Sequence, residues 1–540
     1  MKATMMHTPM TVQMIMQHGA QVFPLSRVGV FDGTDVHQTC YADIAANATR
    51  LASALATLGI RPGDRVGTFS WNNTAHMEAY LAIPSMGAIM HTVNIRLSPE
   101  HIAYVINHAE DRAIILDASL LELFEPVLPL LQTVEQIILV GGQPDQLPGD
   151  IPCHRYETLL ASASSEYDWP ELDETSAAAV CYTSGTTGNP KGVVYSHRTT
   201  FVHSMASRAS DTFGISERDR ILLLPPMFHA NSWGLPYSGW FSGSDFIMPG
   251  PHLQPDGIMK MVRAERPTVT AMVPTILGDL LRATDEQGLD MSSFRMLVCG
   301  GSAVAPAMID AAREKWGVPV LQGWGMTETS PLCALSHPPR DPGPEGETPW
   351  RAKSGRPVSG VQVRVVDDSG NPVPHDGESV GELQLRGPWI TGTYHNDESP
   401  DSFTEDGWLR TGDVGHIDER YYVQLTDRTK DVIKSGGEWI SSVDLESALL
   451  AHPGVKEVAV IATADERWQE RPLAIVVRTE EALTGADLRQ HLTGKVAKFW
   501  IPEYWVFADD IAKTSVGKMD KKRLRAANES GELAVETIKD

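Results

Sequence analysis

Thr183-Ser-Gly-Thr-Thr-Gly-Asn-Pro-Lys-Gly192 follows directly on the apolar run 177–182. Three glycines, three threonines, a serine and a lysine stand within ten residues. Glycines let a backbone approach a ligand closely. Successive N–H groups in such a loop form a nest for an anion, and the hydroxyls add donors. The closing lysine supplies a compact charge suited to phosphate. A polar turn after a strand has Ser, Thr and Gly too, but seldom this lysine and this apolar lead-in. The Walker A spacing Gly-x4-Gly-Lys-Ser/Thr is absent here, so the loop belongs to another class of phosphate binder.

Further segments follow in order. They are Gly323-Trp-Gly-Met-Thr-Glu328, Trp408-Leu-Arg-Thr-Gly-Asp413, the polar stretch Asp427-Arg-Thr-Lys-Asp-Val-Ile-Lys-Ser-Gly-Gly-Glu438, and Lys513-Thr-Ser-Val-Gly-Lys518. Together with the first loop they resemble the motif series of the acyl-adenylate-forming superfamily, which includes acyl-CoA synthetases and adenylation domains. Five matches from 183 to 518 span most of the chain. The resemblance implies ATP, Mg²⁺ and coenzyme A as cofactors and cosubstrate.

On that resemblance, Ser184, Gly185, Thr186, Thr187, Gly188 and Lys191 cradle phosphates, while Thr183 and Glu328 contact Mg²⁺. Oxygen donors of this kind suit that hard ion. Gly301, Ser302 and Ala303 pack one face of adenine, and Gly323, Trp324, Gly325 and Thr327 the other. Asp413 and Arg428 hold the ribose hydroxyls. Lys518 bridges the acid carboxylate and the α-phosphate, where an ammonium removes the repulsion between two approaching anions. One departure stands nearby: Ala512 occupies a place where the family commonly has proline. Lys430 falls at the hinge, Lys434 is the lysine brought in for thioester formation, and Gly437 and Trp439 border the channel for the thiol arm.

The acyl end rests on Pro225-Pro-Met-Phe-His-Ala-Asn-Ser-Trp-Gly234. This segment is similar to one in bacterial medium- and long-chain fatty acid–CoA ligases and in 3-methylmercaptopropionate–CoA ligases. It implies that His229 lines the junction of carboxylate and phosphate, that Trp233 gates the acyl tunnel, and that Gly300 and Pro331 complete the acid site. Fatty acid of medium to long chain is the expected substrate, with 3-methylmercaptopropionate the alternative. An enzyme loading a carrier-protein thiol, or a nucleotide-binding protein without catalysis, are further readings. The absence of a following carrier-like segment, and Trp439, speak against the former. Joint retention of Thr183, Glu328, Asp413 and Lys518 speaks against the latter.

The chain has 540 residues and a formal net charge of −24. That length calls for more than one domain. Such a charge argues against non-specific binding of nucleic acid or of an anionic membrane surface. Five scattered cysteines show no metal spacing, and no apolar run reaches membrane-spanning length, so a cytoplasmic protein is expected. A homodimer through the large domain is implied by the resemblance alone.

The first part of the chain alternates helix and strand patterns: helices over 41–58, 74–86 and 100–108, strands over 65–71, 88–93 and 112–116. Further strands are expected over 221–224, 269–273, 296–299 and 318–322. Near-continuous apolar strands between helices predict parallel sheets covered on both faces. Short strands with Gly/Asp turns over 362–366, 381–386 and 422–425 predict an antiparallel, barrel-like subdomain. The expected fold is therefore α/β: a large N-terminal domain (1–426), a hinge (427–432) and a small, mobile α+β C-terminal domain (433–540) carrying Lys518.

Overall fold

A computed structural model describes the chain except for residues 2, 144–146, 148, 184–188, 398, 429–430, 436–437, 466, 515–518 and 539–540; at 397, 434, 438 and 439 only the backbone is described.

Two large sheets make the N-terminal domain. One runs, in spatial order, through the strands Cys153–Arg155, Gln136–Val140, Asp111–Asp117, Arg65–Phe69, Ile89–Thr92, Ala177–Tyr182 and Gly192–Ser196. All neighbours are parallel except the last pair, which flanks the phosphate loop. The other sheet centres on the parallel strands Arg220–Leu222, Val269–Met272, Met296–Gly300 and Val320–Gly325. The helix Thr74–Ser85 lies between the two sheets, and every residue from Ala75 to Ser85 is buried. That explains why its apolar residues surround it instead of forming one stripe. Asn73 caps it by accepting from the His76 N–H (2.9 Å).

Most expected elements form within a residue or two. Three departures have physical causes. The strand expected over 318–322 runs on to Gly325, because Leu332–Leu335 pairs antiparallel with it. The segment Leu409–Ile417 reads as a turn through its Thr-Gly-Asp, yet pairing on both sides makes it a nine-residue strand. Helix Lys521–Glu529, rich in charge, buries only Leu524 and gives no apolar period to read. Where a barrel-like subdomain is expected, Gln362–Val366, Gly381–Arg386, Leu409–Ile417 and Val423–Arg428 form a four-stranded antiparallel sheet.

The C-terminal part is a six-stranded sheet with its own apolar core, including Ile433, Leu445, Val460, Val476 and Trp505. Asp427 and Arg428, expected in the hinge, still pair with Val414 and Asp413 in the preceding sheet. The Asp427 carboxylate meanwhile accepts from the Ser442 N–H (2.9 Å) and hydroxyl (2.5 Å), on the first turn of helix Ser442–Leu450. One residue therefore has its backbone in the large domain and its side chain in the small one. Among the described residues, no helix is long and apolar enough to cross a membrane.

Candidate active site

The phosphate loop is closed at its base by two hydrogen bonds. Thr183 N–H donates to Lys191 O (2.9 Å), and Lys191 N–H donates to Thr183 Oγ1 (3.0 Å). Of the residues expected there, Ser184, Gly185, Thr186, Thr187 and Gly188 lie outside the described residues, as do Lys430, Gly437 and Lys518. The side chains of Lys434 and Trp439 are outside them too.

Glu328 stands on a single turn after the strand Val320–Gly325 and is 8% exposed. Its carboxylate accepts from the Tyr394 hydroxyl (2.7 Å), and its backbone oxygen from Thr391 N–H (2.8 Å). The preceding Thr327 carbonyl accepts from the Tyr195 hydroxyl (2.6 Å). The Lys191 ammonium lies 4.9 Å from the centre of the Tyr394 ring. Thus the phosphate-loop lysine and the expected metal-binding carboxylate meet at one tyrosine.

Trp324 is 5% exposed, and its indole N–H donates to Asp413 Oδ2 (2.9 Å). The other Asp413 oxygen lies 3.4 Å from Arg428 Nε, its cross-strand partner. The residues expected to hold adenine and ribose are therefore joined to one another. Gly300 lines the opposite side. A Cβ there would stand 3.0 Å from the Gly323 carbonyl and 3.2 Å from the Trp233 ring, a tight fit that would make these neighbours give way.

Residues 225–234 adopt a conformation that sequence periodicity does not reveal. Ala230, Asn231, Ser232 and Trp233 all have left-handed φ, from 43° to 57°, and Gly234 continues at 74°. Left-handed turns of non-glycine residues cost roughly 1–2 kcal/mol each, and persist only where surroundings fix them. Here Ser232 donates to Pro225 O (2.5 Å) and Thr92 to Asn231 Oδ1 (3.1 Å). Asn72 donates to Leu223 O (2.8 Å) and Pro225 O (3.0 Å), and accepts from Met227 N–H (2.7 Å). Tyr80, from the helix between the sheets, donates to Met227 O. The turn presents His229 and Trp233 to a cavity of about 670 Å³.

That cavity joins two chemistries. Thr183, Lys191, Thr327, Glu328 and Arg428 line a polar end, together with Gly301, Gly323, Trp324 and Gly325. His229, Trp233, Gly300 and Pro331 lie on its wall, and Phe213, Leu224, Met272, Val298 and Leu332 extend it with apolar surface. Asp413, Ser302 and Ala303 instead line an adjoining cleft of about 1020 Å³ against the C-terminal domain. Sequence reasoning missed Tyr394, Asn72 and the apolar wall. Tyr394 is separated by 66 positions from the carboxylate it touches, so no local spacing signals it.

A cavity lined both by Thr183, Lys191 and Glu328 and by apolar side chains suits an enzyme that activates a carboxylic acid on a nucleotide. The chain belongs to the AMP-binding enzyme family, which it matches over residues 16–395, and residues 444–518 match the AMP-binding enzyme C-terminal domain. It is 40% identical to the 3-methylmercaptopropionyl-CoA ligase of Ruegeria pomeroyi, over 97% of this chain and 98% of that relative. It is 44% identical to the long-chain-fatty-acid–CoA ligase of Thermus thermophilus, over 91% of this chain and 90% of that one. Among solved structures, the anthranilate CoA ligase AuaEII in complex with anthranoyl-AMP is similar at a TM-score of 0.89 and 26% identity, with 98% of this chain and all of that chain covered.

Proposed function

We infer that this chain, an AMP-forming acyl-CoA ligase, acts on fatty acids of medium to long chain. The acid carboxylate attacks the α-phosphate of ATP to give acyl-AMP and pyrophosphate, and the CoA thiol then displaces AMP. The observation that carries the choice of acid is the continuous cavity. Phe213, Leu224, Met272, Val298 and Leu332 give the cavity an apolar lining beside its polar groups. Apolar walls gain from each buried methylene, and a short polar acid would leave them in contact with water.

In this reading, Lys191 and the loop donors neutralise phosphate charge, Asp413 and Arg428 hold the ribose, and His229 faces the reacting carboxylate. Thr183 and Glu328 are oxygen donors on one cavity wall, and no cluster of three or more His, Cys, Asp or Glu stands among the described residues. This suits Mg²⁺, which takes few protein ligands and completes its shell with phosphate and water. The ion would withdraw charge from the phosphates. Lys518 serves adenylation, Lys434 thioester formation, and Gly437 with Trp439 the thiol arm, as the small domain turns about Lys430. Domains at 1–426 and 433–540, a cytoplasmic location and a homodimer belong to the same reading. The five free cysteines support a reducing compartment.

The likeness to the 3-methylmercaptopropionyl-CoA ligase supports a second substrate, 3-methylmercaptopropionate. Pyrophosphate release with straight-chain acids from about C3 to C16 and with this thioether acid, with and without CoA, decides between them. A preference that rises with chain length carries the fatty acid reading. A sharp preference for the thioether acid overturns it.

A further inference from the structure

We propose that Tyr394 is a positioning residue for adenylation, fixing the Glu328 carboxylate through its hydroxyl and the Lys191 ammonium through its ring. The proposal rests on the function inferred above and assigns a role to a residue outside the phosphate loop and the Glu328 turn. Tyr394 is 6% exposed. Its hydroxyl donates to Glu328 Oε1 at 2.7 Å, and its ring centre is 4.9 Å from the Lys191 nitrogen. The surrounding backbone is tied to the same turn. Ser330 donates to Trp389 O (2.9 Å), Trp389 donates to Leu332 O (3.0 Å), and Thr391 donates to Glu328 O (2.8 Å).

A carboxylate held by one oxygen presents the other in a single orientation. A cation over a ring face is held by the ring quadrupole. One side chain therefore sets the spacing between the Glu328 carboxylate and the Lys191 ammonium. The two functions are chemically separable, since phenylalanine keeps the ring and loses only the donor.

Tyr394→Phe should raise the Mg²⁺ concentration for half-maximal pyrophosphate release about 10–100-fold, as loss of a hydrogen bond to a charged group does. Saturating Mg²⁺ should restore most of the rate. Mn²⁺ affinity with a non-hydrolysable ATP analogue, read by electron paramagnetic resonance, should fall by a similar factor. Conversion of supplied acyl-AMP and CoA to thioester should be unchanged. Tyr394→Leu, which also removes the ring, should add a rise in the KM for ATP. In a Glu328→Gln background, Tyr394→Phe should have no further effect on Mn²⁺ affinity. Unchanged Mn²⁺ affinity in Tyr394→Phe, an additive effect in the double variant, or equal loss in both half-reactions overturns the proposal. A wild-type enzyme that releases no pyrophosphate with any acid would instead overturn the underlying function, so the two failures are distinguishable.

Discussion

Asp413 divides its two oxygens between the Trp324 indole and the Arg428 guanidinium, and is only 6% exposed. A carboxylate pinned from two sides keeps its remaining lone pairs in fixed directions, as recognition of two vicinal hydroxyls requires. Asp413→Ala should raise the KM for ATP about 10–100-fold and leave the KM for the acid nearly unchanged. Steady-state kinetics with each substrate varied in turn checks this, and a rise confined to the acid removes Asp413 from the ribose site. Asp413 stands out in the sequence because it ends the run Trp408-Leu-Arg-Thr-Gly-Asp413, and Arg428 because it follows Asp427 at the head of the next polar stretch. The Trp324 hydrogen bond was not legible, since it depends on the end of one strand meeting the middle of a strand from another sheet. Tyr394 shows the same limit: a lone tyrosine carries no sign of the carboxylate it will meet.

Two elements hold the acyl end, the buried helix Thr74–Ser85 and the left-handed turn it supports. Within the helix, burial pushes Glu78 up to about 7, although Tyr156 and Asn47 donate to it. A carboxyl whose folded pKa stands above its unfolded value contributes stability below about pH 4.5 and loses it as pH rises to about 7. The loss amounts to about 3 kcal/mol. Glu78→Gln stays neutral, so its melting temperature should gain on wild type as pH goes from 4.5 to 8. A constant difference across that range would show that Glu78 is ionised in the fold. Trp233→Ala should broaden acid preference gradually towards other chain lengths, since a methylene is worth about 1–3 kcal/mol, while the KM for ATP changes little. Parallel chain-length curves for wild type and variant would return Trp233 to a structural role. The helix was legible from the alternation of helix and strand patterns in the first part of the chain, whereas its Asn73 cap and its burial on all sides were not. The turn was not, because Ala-Asn-Ser-Trp contains none of the glycines that usually announce left-handed backbone.

Across the whole molecule, the two domains meet around Asp427. Beyond its bonds to Ser442, the Lys521 ammonium lies 2.8 Å from Glu446 and donates to the Ser442 hydroxyl (2.6 Å). Burial pushes both Asp427 and Glu446 upward, against the pull of that lysine. In this arrangement a short strand of the large domain ends directly on a helix start of the small one. Lys518→Ala should lower adenylation about 10²–10³-fold, while supplied acyl-AMP is still converted to thioester. Measuring the half-reactions separately tests this, and equal losses would sink the division of labour. The two-domain plan was legible from the change of period after residue 425. The true point of attachment was not, because the polar stretch that reads as a free linker begins inside a paired strand.

The left-handed turn also bears on how this enzyme can diversify. Four consecutive non-glycine residues in that geometry, with Asn231 held by Thr92 and Ser232 by Pro225, leave little room for tolerated change. Random variation at 230–232 will mostly remove the enzyme rather than retune it. New acid preferences will instead arise across the cavity, at Met272, Val298 and Leu332, whose parent strands are regular and accept exchange of one apolar side chain for another. A library confined to those three positions is where selection for a different acid will find its survivors.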